Sequence, residues 1–170
     1  MVPDKYIIEQ FKINKGTFIS LLNDATPDFY NWRPKAKSWC LLEVLCHLYD
    51  EERLDFRFRT QWVLERPGEV PPAFNPLSWV EDHRYMEQDF SEMLAKFLSE
   101  RDKSIKWLES LENPQWDHAF LHPKLGSMSA GYFLSNWLAH DYLHFRQITK
   151  LKFNYLSNML KSDLNYAGPW

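Results

Sequence analysis

The chain has 170 residues, of which 45% are hydrophobic and 16% aromatic, as is typical of one globular domain with a ring-rich core. Its 20 basic and 23 acidic residues give a formal net charge of −3 without a basic run, so we expect no nucleic-acid partner. No apolar stretch reaches the roughly 18 residues of a membrane span, and residues 1–10 lack a signal-peptide pattern. We therefore expect no membrane association, a cytoplasmic location, and a single domain over residues 1–170.

Scarce glycine and clustered prolines predict long helices separated by loops. The first helix is expected over residues 5–23, where apolar side chains recur at helical spacing. A loop with two prolines follows at residues 24–37. The second helix is expected over residues 39–65, with Ser38 as its N-cap and Pro67 just beyond its end.

A proline-rich loop at residues 70–77 precedes the third predicted helix, which should run to about Leu111. Ser78 and Glu81 have the spacing of a capping box, in which each side chain binds the backbone N–H of the other. We expect a break in this helix near Ser104.

The last long helix is expected to follow a loop at residues 113–127 and to end near Leu160, with Ser127 or Ser129 as its cap. The tail, residues 161–170, should be a coil. Four long helices joined in this way predict an all-α fold, an up-down four-helix bundle that could include one long crossover connection.

Three of the six histidines interrupt apolar helix faces. His140 and His144 lie on a stripe of the last helix whose other members are apolar, and His47 interrupts a similar stripe of the second helix. Residues four apart on a helix have neighbouring side chains, which suits two imidazoles on one metal ion. Three inward-facing imidazoles therefore favour a shared divalent cation with open coordination positions; hydrogen-bonded core histidines are the alternative.

These segments resemble the DinB-like (YfiT-like) metalloprotein superfamily. Residues 39–53 are similar to its W-x-x-x-E-x-x-x-H-L-x-x-x-E helix, and residues 122–147 to its H-P-x-x-G and H-D-x-x-H-x-x-Q ending. The resemblance implies a DinB-like bundle in which His47, His140 and His144 bind zinc, nickel or iron.

The resemblance also implies a homodimer and a metal-dependent enzyme acting on a small-molecule substrate. The reaction would be S-transfer from a low-molecular-weight thiol, or hydrolysis. A non-catalytic metal- or ligand-binding stress-response module is the alternative.

Several further polar residues have two interpretations. Glu51, one turn after His47, is a candidate catalytic residue that could accept a proton from metal-bound water, or a partly solvated carboxylate. Asp141 could orient a metal-bound imidazole or serve an adjacent helix or a dimer contact. His122 is expected to be a turn residue rather than part of the pocket mouth, and His83 to lie on a solvated face.

Overall fold

The computed structural model describes residues 4–73, 75–161 and 163–168, and most of them are helical. The expected coil over 161–170 therefore lies partly outside the described residues. A π-helical turn, Glu51–Phe56, joins two of the helices into one continuous rod. In chain order the helices are α1 (Asp4–Leu22), α2 (Pro27–Tyr30), α3 (Leu41–Asp50), α4 (Arg57–Glu65), α5 (Trp79–Asp82), α6 (Phe90–Ser110) and α7 (Ala130–Leu160).

The bundle consists of α1, the α3–α4 rod, α6 and α7, and α1 runs parallel to α7. The amide of Asn14 binds Asp141, and one turn later Phe18 contacts Phe145, so both helices advance in the same direction. By contrast, Lys15 binds Asp102 of α6, while Phe18 meets the earlier residue Phe97. Helix α6 is therefore antiparallel to α1.

The α3–α4 rod is antiparallel to α7 and parallel to α6. His47 faces His144, whereas the later residue Glu52 binds the earlier Trp137. Glu52 also binds Arg101 of α6. Further along, Arg57 donates to Ser104 of α6. The four long helices thus run up, down, down and up.

This direction corrects a strict up-down order and agrees with the alternative that includes one long crossover connection. The second and third long helices are parallel because residues 66–89 form a crossover that returns along the bundle before α6 begins. The crossover contains α5 and a 3₁₀ turn, Tyr85–Glu87, so the long third helix predicted from residue 78 is wrong in its first turns. The four-helix bundle itself is confirmed.

Two predicted helix caps are also corrected. The N-cap of α3 is Cys40 rather than Ser38, because the Cys40 N–H donates to the Glu43 carboxylate at 2.8 Å. Ser78 makes no side-chain cap, and Asp89 caps α6 instead by accepting from the Glu92 N–H at 2.8 Å.

Helix α6 continues through Ser104 without the expected break, and the Ser104 hydroxyl donates to the Glu100 carbonyl one turn earlier. Of the two serines suggested as caps for α7, Ser129 is the cap: its Oγ accepts from the Tyr132 N–H.

A short antiparallel hairpin replaces part of the loop predicted before α7, so the all-α description is corrected to a mostly helical one. Strands β1 (Ala119–His122) and β2 (Gly126–Ser129) pair in register from Ala119 with Ser129 to His122 with Gly126. Gly126 has φ +77°, a conformation that favours glycine. The ring of His122 accepts the Lys124 and Leu125 N–H groups, which confirms it as a turn residue.

The core has two apolar clusters, one around Phe18 and Leu45 and one around Phe11 and Trp137. Both cysteines are buried and free. Among the described residues, no helix is long and apolar enough to cross a membrane.

Candidate metal centre

Three imidazoles meet between α3 and α7. The ring of His47 lies 5.5 Å from that of His140 and 5.2 Å from that of His144, between centroids. One nitrogen from each ring lies within 4.8 Å of the others. His140 and His144 are one turn apart on α7, and their Nε2 atoms are separated by 3.0 Å. The structure therefore brings together the three histidines that the two helical stripes predict.

The three rings are neutral at neutral pH because they are withdrawn from water. Burial, with a smaller contribution from the neighbouring imidazoles, lowers the pKa of His47 to about 3 and that of His140 to about 2. Burial also lowers the pKa of His144 to about 4, although Gln147 and Asp141 act in the opposite direction. Neutral imidazole is the form that binds a metal ion.

The donor set fits one divalent ion. Two nitrogens bound to the same zinc ion at about 2.0–2.1 Å lie roughly 3–3.5 Å apart, and the Nε2 atoms of His140 and His144 have such a separation. In the part of the chain that the structure describes, Nδ1 of His47 is buried without a hydrogen-bond partner. Direct hydrogen bonds therefore do not fully satisfy this histidine cluster, as they would in an ordinary core.

Two aromatic side chains support the ligand rings. Trp39 packs edge-on against His47, with 5.0 Å between ring centroids, and Phe56 packs against His140 at 4.9 Å. Phe56 closes the π-helical turn, which carries one more residue per turn than the α-helix around it. The sequence stripe that assumed a regular α-helix therefore could not identify Phe56 as a neighbour of the histidines.

Glu51 lies beside the cluster and is 6% exposed, so the expectation of a partly solvated carboxylate is wrong. Its Oε1 is 3.7 Å from Nδ1 of His47, slightly beyond hydrogen-bond distance. Burial, with a smaller contribution from the neighbouring Asp55, raises the pKa of Glu51 to about 8. Asp55 itself forms an ion pair with Arg59, at 2.5 Å.

A buried charged network lies under the histidines. Asp141, next to His140 in the sequence, accepts two hydrogen bonds from Arg101 and one from Asn14, which gives it the predicted role of serving adjacent helices. Arg101 also binds Glu52, whose carboxylate accepts the indole N–H of Trp137. Sequence patterns missed Arg101, because a lone arginine on α6 gives no signal of a carboxylate pair on two other helices.

The cluster has an open side. His144 lines a surface cleft of about 560 Å³ together with Arg146, Gln147 and Lys150. The cleft therefore brings space for a small molecule next to one ligand residue, as a catalytic metal site requires and a closed structural site does not.

The remaining histidines stand apart from the cluster. His118 Nδ1 lies 2.9 Å from the Leu64 carbonyl oxygen, a partner the sequence did not suggest. His83 does not lie on a freely solvated face as expected, because its Nδ1 is 2.6 Å from the buried carboxylate of Asp50.

A helical bundle with an internal cluster of three histidines from two antiparallel helices defines the class of this protein. Residues 10–148 match the family model of the DinB superfamily. The chain therefore belongs to the DinB superfamily, as its two motifs suggested.

Two relatives carry names that refer to a metal. A protein of Oceanobacillus iheyensis named "putative metal-dependent hydrolase" is 25% identical over 141 residues, which cover 82% of this chain and 78% of that protein. The structure of YfiT from Bacillus subtilis, described as "a probable metal-dependent hydrolase with an unusual four-helix bundle topology", aligns with a TM-score of 0.76. The alignment covers 94% of this chain and 89% of that one at 17% identity, and shows a shared fold.

Proposed function

We propose that His47, His140 and His144 bind one divalent metal ion and that the protein is a metal-dependent enzyme. The observation that carries this proposal is the group of three neutral imidazoles, one buried and two partly buried, whose nitrogens lie within 4.8 Å of one another. The identity of the ion is left to experiment, since imidazole suits zinc, nickel and iron.

The proposed reaction is hydrolysis of a small substrate. A divalent ion supplies Lewis acidity and lowers the pKa of water. The chain's own contribution is a cleft beside His144 to receive the substrate and a carboxyl group, Glu51, to take or return a proton. Support for hydrolysis comes from the names of the Oceanobacillus and Bacillus proteins.

Thiol transfer is a second candidate for the same centre. Any thiol used would come from a small molecule, because Cys40 and Cys46 are both buried. Burial also raises the pKa of both thiol groups, so neither is a ready nucleophile. Activity with an activated electrophile that requires an added thiol would select this reaction over hydrolysis.

Elemental analysis of tag-free protein tests the metal site. The wild type should retain about one equivalent of a divalent metal after incubation and desalting, and His140→Ala should retain less than a tenth of that. His122→Ala is the matched control, because that ring accepts backbone N–H groups of a turn outside the three-histidine group and should leave the metal content unchanged. Equal metal content in the wild type and His140→Ala would refute the site.

Activity assays then distinguish an enzyme from a non-catalytic binding module. Metal-loaded protein should hydrolyse activated esters or amides, and Glu51→Gln should retain metal while losing about 10²-fold or more in kcat. If metal-loaded protein is only more heat-stable, and inactive toward esters, amides and thiol acceptors, the module is the correct assignment.

A further inference from the structure

A second polar cluster lies where α3 meets the crossover, away from α7. The carboxylate of Asp50, only 2% exposed, is its centre. Its Oδ2 lies 2.6 Å from Nδ1 of His83 and accepts the Tyr85 hydroxyl at 2.9 Å, while its Oδ1 accepts from Arg53 at 2.9 Å. The charge of Asp50 is therefore fully engaged by these three neighbours.

The crossover takes an unusual backbone conformation to make these contacts. Arg84, between His83 and Tyr85, has φ +49° and ψ +57°, in the left-handed region that non-glycine residues rarely occupy. The ring of His83 also stacks on Trp79, at 6.0 Å between centroids and 13° between planes. A strained turn retained by several contacts is more frequent at functional sites than elsewhere.

These residues line a cleft of about 170 Å³ between α3, the crossover and α6, which we call the Asp50 cleft. Besides Asp50, His83 and Tyr85, its wall includes Arg53 of the π-helical turn and Lys96 of α6. Because the carboxylate of Asp50 is already engaged, the cleft presents two cationic side chains without a free anion. Its volume is below the roughly 300 Å³ of a drug-sized site, so its occupant is small.

Arg53 is held in position yet has unused donors. One amino group of its guanidinium binds Asp50, and the guanidinium lies 4.5 Å from the Tyr49 ring centroid. Its other amino group, Nη1, makes no hydrogen bond among the residues the structure describes, and 30% of the side chain is exposed. A fixed guanidinium with a free N–H is a ready binding group for an oxyanion, since little rotamer entropy remains to be lost.

Lys96 adds a second positive charge from the opposite wall. Its ammonium group lies 3.7 Å from Glu92, and both side chains are largely exposed, at 48% and 71%. Such an exposed ion pair contributes little to stability, so Lys96 can leave Glu92 and bind an oxyanion in the cleft.

The geometry points to the Asp50 cleft as a binding site for a small oxyanion, a phosphate or carboxylate group held by Arg53 and Lys96. The buried carboxylate of Asp50 holds Arg53 in position, and Lys96 supplies a second positive charge for the oxyanion. This site is separate from the histidine cluster and does not depend on a metal ion.

Nuclear magnetic resonance of the full chain tests the proposal. Inorganic phosphate and acetate are titrated separately against sodium chloride of equal ionic strength, and the side-chain Nε–H signal of Arg53 is followed. We expect a saturable shift of this signal that chloride does not produce. Lys96→Ala should weaken the affinity about tenfold, as loss of one charge-assisted contact does. Lys106→Ala, an exposed lysine of the same helix, should change it less than twofold.

The titration is repeated in His140→Ala, so that anion binding at the proposed metal centre cannot account for the result. Tighter binding of phosphate would identify a phosphate ligand, and tighter binding of acetate a carboxylate. No saturable shift with either anion, or a shift that Lys96→Ala leaves unchanged, would overturn the proposal. In that case the cluster only docks the crossover onto α3.

Discussion

Arg101 of α6 and Asp141 of α7 form two parallel hydrogen bonds of 2.7 Å each, with both side chains 1% exposed. The same arginine reaches Glu52 at 2.9 Å, so one guanidinium joins three of the four long helices directly below the histidines. Such a network is expected to fix the spacing of α3 and α7, and with it the distance between His47 and the histidine pair.

Replacing this arginine should destabilise the bundle strongly. Arg101→Met leaves two carboxylates buried without their partner, and loss of one member of a buried ion pair costs about 3–5 kcal/mol. The free energy of unfolding, measured by urea titration, should fall by that amount. Lys106→Met on the exposed face of the same helix is the control and should change it by less than about 0.5 kcal/mol. A similar small loss in both variants would contradict the structural role of the network.

Two tryptophans allow a matched test of the buried indole bond. Trp137 donates to Glu52 at 2.9 Å inside the core, whereas Trp62 donates to the Glu69 carbonyl at 3.2 Å near the surface. Trp137→Phe should cost about 2–4 kcal/mol, because it leaves a cavity and deprives a buried carboxylate of a donor. Trp62→Phe should cost less than about 1 kcal/mol. Calorimetric or urea unfolding of the pair checks the order, and a larger loss for Trp62→Phe would contradict it.

The two thiols should be unreactive in the folded protein. Burial raises the pKa of Cys46 to about 12 and also raises that of Cys40, so almost no thiolate is present at pH 8. We expect native protein to react with an aromatic disulfide reagent at least about a hundredfold more slowly than urea-unfolded protein, which should release two equivalents. Rapid native reaction of one thiol would show that α3 opens locally.

Metal-free protein should lose stability in acid through its histidines. Each has a folded pKa below its unfolded value near 6.5, so the unfolded chain binds more protons between that value and about 4. Their contribution is present in full above pH 6.5 and declines as the pH falls. Between pH 7.5 and pH 5, the free energy of unfolding should fall by about 2 kcal/mol for each of these imidazoles.

The measurement compares urea unfolding of the metal-free wild type with His144→Gln at both pH values. A comparison between variants is needed because the raised pKa of Glu51 gives the opposite slope: its contribution to stability increases as the pH falls from 8 toward 4.5. Identical pH dependence in the two proteins would contradict the neutral state of His144.

The histidine cluster was predictable because the three ligands interrupt helix faces that are otherwise mostly apolar. His140 and His144 are one turn apart on a regular helix, so their facing follows from sequence spacing alone. His47 lies before the π-helical turn, where α-helical spacing still applies. The bundle was also predictable, because a long apolar periodicity identifies a helix even when its ends are misplaced by a few residues.

Other features depended on contacts that spacing does not encode. The α-helical spacing that starts at His47 continues through Leu54 and Phe58, but these two residues are only half-buried, and Thr60 and Val63 of α4 face the core instead. The hairpin escaped notice because each strand has only four residues, too few for an alternating pattern to be recognised. Helix direction could not be read at all, since the crossover is long enough to permit either order.

The π-helical turn amounts to a one-residue insertion inside a single rod. Each residue of an α-helix turns the chain by about 100°, so deleting one residue from Glu51–Phe56 would restore the α-helical register and rotate all of α4 by roughly that angle. Thr60 and Val63 would then leave the core, and Phe56 would move away from His140. The extra residue therefore sets how far α4, which packs on the start of α7, is rotated about the rod axis relative to α3, which carries His47.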